Sequence, residues 1–203
     1  MKKLINILSK IIGVLDKIRG EEEDNMTTQK RVVIDPGHGG RDPGATTEGV
    51  TEKSIVLGVG MKIKDLMDDS NIDLFYTREN DSYISLSDRS GMANRVSSDI
   101  FVSLHANAAG REGANGIETF HFPGSDNGQK LAGLIQSELI ENTGATDRGV
   151  KTARFHVLQR TTMPAVLVEM GFVTNPDERE KLILDSYQEK LAESIVSGIN
   201  QYF

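Results

Sequence analysis

The chain has 203 residues, 37% hydrophobic and 26% charged, with a net charge of -7 at pH 7, which suits one globular domain with a real core plus an appendage and argues against two full domains. The acidic balance, with no basic stripe interleaved with aromatics, makes nucleic acid a poor partner. Cysteine is absent, which excludes disulfides and thiolate metal sites, so any transition-metal site must be built from His, Asp and Glu.

The segment MKKLINILSKIIGVLDKIRG opens the chain, with apolar residues at Leu4, Leu8, Ile11, Leu15 and Ile18 and lysines at Lys3, Lys10 and Lys17 on another face. That spacing predicts an amphipathic helix. It starts like a secretory leader, but Lys10 interrupts the apolar run and no small-residue cleavage site follows. It is also short of the roughly 20 mostly apolar residues that span a membrane. Residues 1–24 therefore read as a helical appendage and 25–30 as a linker, with Met26 a conceivable internal start. The wide apolar face and basic flanks of residues 1–20 fit an anionic membrane surface, self-association, or docking on the following domain.

From Arg31 the patterns alternate. Strands are predicted at 31–35, 73–77, 99–104, 116–121, 155–158 and 165–170, and helices at about 51–69, 86–97, 127–142 and 185–202. Such alternation argues an α/β layered fold with a mainly parallel sheet over residues 31–203.

The first strand runs into VVIDPGHGGRDPGA, residues 32–45. Val32, Val33 and Ile34 form a β-branched run, after which Pro36, Gly37, Gly39, Gly40, Pro43 and Gly44 stop any regular element. His38 thus sits at the carboxyl end of a strand, where the ligand crevices of open α/β sheets lie. A plain turn histidine is the other reading. Glu52 follows and opens the next helix, which returns over the sheet; alone, it reads as well as a first-turn acid interacting with the helix dipole.

FVSLHANAAG, residues 101–110, repeats the first design and delivers His105 at a second strand end. Only four histidines are present, His38, His105, His121 and His156, so two on separate strand ends point toward a metal. A catalytic zinc takes three protein ligands and leaves a position for water, and Glu52 is the best third ligand. In PAVLVEMGFVTNP, residues 164–176, an apolar strand ends in Glu169. A carboxylate there is costly unless it serves a charge or accepts a proton, which suits a base for a metal-bound water; an ion pair with Arg154 or Arg160 is the structural alternative.

VVIDPGHGGRDPGA, the GVTEKS around Glu52, TREND followed by LSDRSGMAN, FVSLHANA, GIETF and MPAVLVEMGFVTNP together resemble the ordered motifs of the zinc-dependent N-acetylmuramoyl-L-alanine amidases of the type-3 class, from about Val32 to the C-terminus. The resemblance implies a three-layer domain with a twisted, mainly parallel six-stranded sheet flanked by helices, one Zn2+, and hydrolysis of the amide between the lactyl group of muramic acid and L-alanine in peptidoglycan. It makes His38, Glu52 and His105 the metal ligands and Glu169 the catalytic acid/base. Glu118 of GIETF matches a recurrent family acid that orients ligand or substrate, or else a strand-end ion pair. Asn107 is read as touching substrate or shaping its turn. Arg78, Arg89 and Asn94 are read as structural, His156 as lining the cleft wall, and His121 as an ordinary strand-end residue. The resemblance places the action at the bacterial cell wall, reached by export or release without an evident cleavable signal peptide. Alternatives are a zinc peptidase cutting within the stem peptide and a non-catalytic peptidoglycan-binding module. Phage lysin, autolysin and sporulation enzyme all stay open.

Overall fold

A computed structural model describes residues 29–67, 71–110 and 113–203. The appendage of residues 1–24, most of the linker and Met26 lie outside the described residues. The strands are β1 Lys30–Pro36, β2 Thr46–Thr47, β3 Val50–Thr51, β4 Ile72–Tyr76, β5 Ile100–Asn107, β6 Ile117–His121, β7 Asp147–Thr152 and β8 Ala165–Phe172. The helices are α1 Glu52–Met67, α2 Leu86–Arg95, α3 Asp126–Thr143, α4 His156–Arg160, α5 Pro176–Leu182 and α6 Asp185–Tyr202.

Six strands form the main sheet in the order β4-β1-β5-β8-β6-β7, while β2 and β3 make a small antiparallel ribbon. β5 runs parallel to β1 and β8, and β6 is parallel to β7 but antiparallel to β8. The mainly parallel six-stranded sheet expected from the motifs is present.

Strand side chains alternate between faces, and each face is covered by its own helical layer. Val32, Ile34, Val102, Leu104, Val166 and Val168 point into the larger core, packed against Ile55, Val59 and Ile63 of α1, Leu131 and Ile135 of α3, and Leu191 and Ile195 of α6. Val33, Phe101, Ala165 and Leu167 face the other way, onto Ala93 of α2 and Val157 and Leu158 of α4. Three layers result, one of them thin. Helix starts carry their own reasons: Ser85 and Ser125 accept from the backbone N–H groups of Asp88 and Gly128, and Asn175 accepts from Glu178 with Pro176 next to it.

Several elements differ from expectation, among them the ribbon strands β2 and β3. Residues 155–158 are not a strand: Phe155 is extended and α4 follows. Val157 and Leu158 are adjacent and both buried in the thin layer, an arrangement that a helical turn permits and strand alternation forbids. The sixth strand is instead β7, whose polar sequence DRGVKT gives no strand signal. Helix α5, unpredicted, is short and mostly charged.

The end of β1 is held by two buried arginines. Arg78 donates from Nε to the Pro36 carbonyl at 2.9 Å and from Nη2 to the Gly37 carbonyl at 2.7 Å. Arg89 donates from Nη1 to the Pro36 carbonyl at 2.8 Å and from Nη2 to the His38 carbonyl at 2.6 Å. Arg89 Nη1 also meets Asp35 Oδ1 at 2.7 Å, and Asp35 accepts from Thr77 and Ser103 at 2.5 and 2.7 Å. All of these side chains are buried, so each charge depends on its partners. Arg89→Met is expected to cost about 3–5 kcal/mol, because Asp35 is left as a buried charge without its cation. Urea denaturation measures this, and a loss below about 1 kcal/mol would contradict it.

Candidate metal centre

Three elements deliver three donor groups to one point. His38, just beyond β1, adopts a left-handed backbone with φ +58°, uncommon for a side-chain-bearing residue and sustained only when the surroundings dictate it. The Arg89 donation to its carbonyl and a 3.0 Å hydrogen bond between its Nδ1 and Asp42 Oδ2 supply that constraint. Glu52 opens α1, and His105 lies near the end of β5. Glu52 Oε1 is 3.1 Å from His38 Nε2 and 2.9 Å from His105 Nδ1. The carboxylate is fixed by backbone N–H groups, Ala106 donating to Oε1 at 3.0 Å and Ala45 to Oε2 at 2.9 Å.

Two glycines make this approach possible. A Cβ on Gly37 would stand 2.6 Å from His105 Nε2, and one on Gly44 would stand 2.5 Å from Glu52 Oε2 and 2.8 Å from His38 Cδ2. The bends around His38 therefore leave room where the other two groups pack.

His38, Glu52 and His105 each offer one ligand atom, all within 4.8 Å of one another. Two imidazole nitrogens and one carboxylate oxygen are a common donor set for catalytic zinc, whose bonds of about 2.0–2.1 Å place tetrahedral ligand atoms roughly 3.3 Å apart. The two nitrogen–oxygen separations fit that spacing. The electrostatics agree: burial opposes the Glu52 charge, yet the hydrogen bonds from His105 and His38 hold its carboxyl far below the usual range. Burial lowers the His38 imidazole, but Glu52 and Asp42 outweigh it and raise the group overall.

Glu169 stands opposite His105 in the β5–β8 register and opposite Glu118 in the β6–β8 register. Its Oε2 is buried and has no hydrogen-bond partner among the described residues. Burial is the main reason its carboxyl is pushed up to about 7, with Glu52 and Glu118 adding to the rise and His105 and His38 opposing it. Arg154, named above as a conceivable ion-pair partner, instead stacks over the Phe122 ring at 5.5 Å.

A cleft of about 480 Å³ opens over these groups. His38, Glu52, His105, Asn107, His156 and Glu169 line it, with an apolar wall of Tyr83, Leu86, Phe155 and Leu167. Glu118 lies just behind, where its Oε1 accepts from Asn107 at 2.8 Å and its Oε2 meets Arg148 Nε at 2.9 Å and Lys151 Nζ. Burial works against its charge, but Lys151 and Arg148 keep the carboxyl below its ordinary value. His121 is buried at the other end of β6, with Nδ1 3.0 Å from the Phe122 carbonyl. Asn94 ties α2 to the end of α4 through the Arg160 carbonyl and to the segment after it through the Thr162 N–H.

Sequence reasoning did not single out Asp42, which orients His38, or the apolar wall. The signal for Asp42 was an acid four residues after the histidine within one tight turn. That for the wall was the group Tyr83, Ile84 and Leu86 where a polar connection enters α2.

Residues 32–201 match the family described as N-acetylmuramoyl-L-alanine amidase. The sporulation-specific N-acetylmuramoyl-L-alanine amidase of Bacillus subtilis is 37% identical over 178 residues, 85% of this chain and 68% of that protein. The endolysin of Bacillus phage SPP1 is 38% identical over 177 residues, 84% of this chain and 65% of the phage protein. The crystal structure of the N-acetylmuramoyl-L-alanine amidase of Clostridium difficile 630 is similar with a TM-score of 0.84 at 39% identity, covering 87% of this chain and 97% of that one.

The raised Glu169 carboxyl has a consequence for stability in the metal-free protein. An unfolded glutamate titrates near 4.5 and this one near 7, so the folded state holds a proton that the unfolded state has lost between those values. Wild-type stability should fall with rising pH across that window, whereas Glu169→Gln has nothing to titrate. The stability gap in favour of the variant is expected to widen by up to about 3 kcal/mol from pH 4.5 to 7 and then level off. Denaturant titrations of both proteins at several pH values measure it; a gap that is constant or narrows would contradict the buried, protonated state.

Proposed function

The chain belongs to the N-acetylmuramoyl-L-alanine amidase family, and on that premise we propose how its own groups hydrolyse the amide between the lactyl group of muramic acid and the L-alanine of the stem peptide. The observation that carries the reading is Glu169, a buried carboxyl with an unpartnered oxygen beside the cluster of His38, Glu52 and His105. His38 Nε2, His105 Nδ1 and Glu52 Oε1 would hold one zinc ion. When bound, zinc supplies Lewis-acid polarisation of water and of the scissile carbonyl.

Glu169 does the proton work. A carboxyl with its proton affinity near neutrality can take a proton from the attacking water and hand it to the departing alanine nitrogen, which leaves as an amine. Its position on β8, fixed by pairing to both β5 and β6, keeps it facing His105 with Oε2 unpartnered among the described residues. Asp42 fixes the ring of His38 so that Nε2 points inward. Tyr83, Leu86, Phe155 and Leu167 give the alanine and lactyl methyl groups an apolar surface and limit the access of water.

His38→Ala and His105→Ala are expected to lose both bound zinc and activity. Glu169→Gln should retain zinc and lose about 10²–10⁴-fold in rate. Metal analysis and mass spectrometry of digested peptidoglycan test both points: released peptides should begin with alanine. Full zinc in either histidine variant would reject the ligand set, and alanine left attached to the sugar would show a cut within the stem instead.

Peptidoglycan as substrate places the action at the cell wall, and we infer that the protein reaches it by export or release. Residues 1–20 have five basic side chains against one acid, a net +4 within a chain of -7, and a wide apolar face. That combination supports binding to an anionic membrane surface. Compared with the full chain, a protein beginning at Met26 should keep its activity on soluble muropeptides and lose sedimentation with anionic vesicles. Equal, negligible sedimentation would reject the membrane role, and a change from dimer to monomer would favour self-association.

A further inference from the structure

Glu118 takes no part in the proton steps, yet it is buried on the same face of the sheet as Glu169, and two cations serve it. Arg148 Nε and Lys151 Nζ both reach its Oε2, while Asn107 already satisfies Oε1. One carboxylate against two cations leaves a local surplus of one positive charge. Arg148 Nη1 donates to the Asn115 carbonyl at 3.2 Å and its guanidinium lies over the Phe172 ring, but the Arg148 and Lys151 side chains are still 31% and 40% exposed, so both cations remain partly open to solvent. From Arg148 to Arg154 the sequence RGVKTAR holds three basic residues and no acid, against the acidic balance of the whole chain.

The register shows where this charge lies. Lys151 pairs with Phe120, which shares a strand face with Glu118 two residues earlier. The row of His105, Glu169 and Glu118 on β5, β8 and β6 therefore continues outward to the cations of β7. Adjacent strands are about 4.8 Å apart, so β7 lies roughly 10 Å from Glu169. Two extended residues cover roughly 7 Å, and the long side chains of Arg148 and Lys151 lean back toward Glu118 to close the remainder. Without them, Glu118 would present an unpaired negative charge to a peptide leaving the cleft in that direction.

We propose that Arg148 and Lys151 form a carboxylate-recognition subsite for the stem peptide, one that takes the free carboxylate of the residue following the scissile alanine. This rests on the amidase reading above. In the stem that residue is a glutamate joined through its side chain, so its main-chain carboxyl is either a free carboxylate or, when amidated, a carboxamide. Arg148 and Lys151 hold the anionic form by charge-assisted hydrogen bonds and have no charge to pair with in the amide. They position the peptide and touch no reacting atom.

The test compares two soluble substrates, an N-acetylmuramoyl dipeptide ending in the free carboxylate and its carboxamide counterpart, with the zinc-loaded full chain and with Lys151→Met. Arg148 and Asn107 remain on Glu118 in that variant, so the strand end keeps its ion pair. Wild type is expected to favour the carboxylate by about fivefold in kcat/KM, the upper range for a partly exposed ion pair. Lys151→Met should bring the ratio near one by raising KM for the carboxylate alone, with kcat on the carboxamide unchanged. A purely structural role would move both substrates together and leave the ratio as it was, which overturns the proposal. So would equal wild-type rates on the two. Failure of wild type to cut either substrate at the muramoyl–alanine bond would overturn the amidase assignment instead.

Discussion

The three consecutive carbonyls of Pro36, Gly37 and His38 all accept hydrogen bonds from the buried guanidiniums of Arg78 and Arg89. Beyond a strand end the ladder stops, and buried carbonyls must find other donors. Here those donors also set the path of the chain. They hold His38 in a left-handed conformation, and Asp35 anchors Arg89 so that it cannot move away. If the clamp loosened, His38 would no longer aim Nε2 at Glu52, and the approach of Glu52 to His105 alone would not complete a three-donor site.

The second constraint is the inequality of the two helical layers. α1, α3 and α6 bury one face of the sheet, while among the described residues α2 and the short α4 cover the other. Asp35, Ser103, His105, Leu167 and Glu169 alternate onto the thinly covered face, and the cleft opens there. This gives Glu169 an environment dry enough to raise its carboxyl and near enough to solvent for a substrate to reach it. A thicker layer would bury the carboxyl beyond reach, and a thinner one would hydrate it and return it to an ordinary acid.

Much of this was legible in the sequence because the strands are apolar except at chosen positions. VVID, FVSLH and AVLVE are apolar runs that end in a polar residue, so strand-end chemistry could be located in the sequence; the structure puts each of those residues on the thin-layer side. His105 and Glu169 were found as the polar ends of apolar strands, His38 from the bends just past the first strand and Glu52 as the acid opening the next helix, and the ordered motifs supplied the reaction. What could not be read was local and short. RFHVLQR carries apolar neighbours that suit either a strand or a helical turn, and only their shared burial decides between them. β7 is an edge strand with one polar residue after another, held by pairing with β6 rather than by propensity. α5 does have a start signal in NPDE, with Asn175 as cap and Pro176 after it, but its charged body has no apolar face to reveal it. Arg78 and Arg89 were read as structural, but the carbonyls they clamp were hidden, because these arginines come from a connection and a helix far from Pro36 in sequence and no spacing rule links a guanidinium to a carbonyl across the fold.

The central claim is that His38, Glu52 and His105 bind one zinc in the orientation set by the clamp and by Asp42. Anomalous scattering at the zinc edge from crystals of the zinc-loaded protein tests it most directly. The account predicts one strong peak bonded to His38 Nε2, Glu52 Oε1 and His105 Nδ1, on the cleft side facing Glu169. A peak bound through His105 Nε2, one at another cluster of acids, or none at all in zinc-saturated crystals would contradict it.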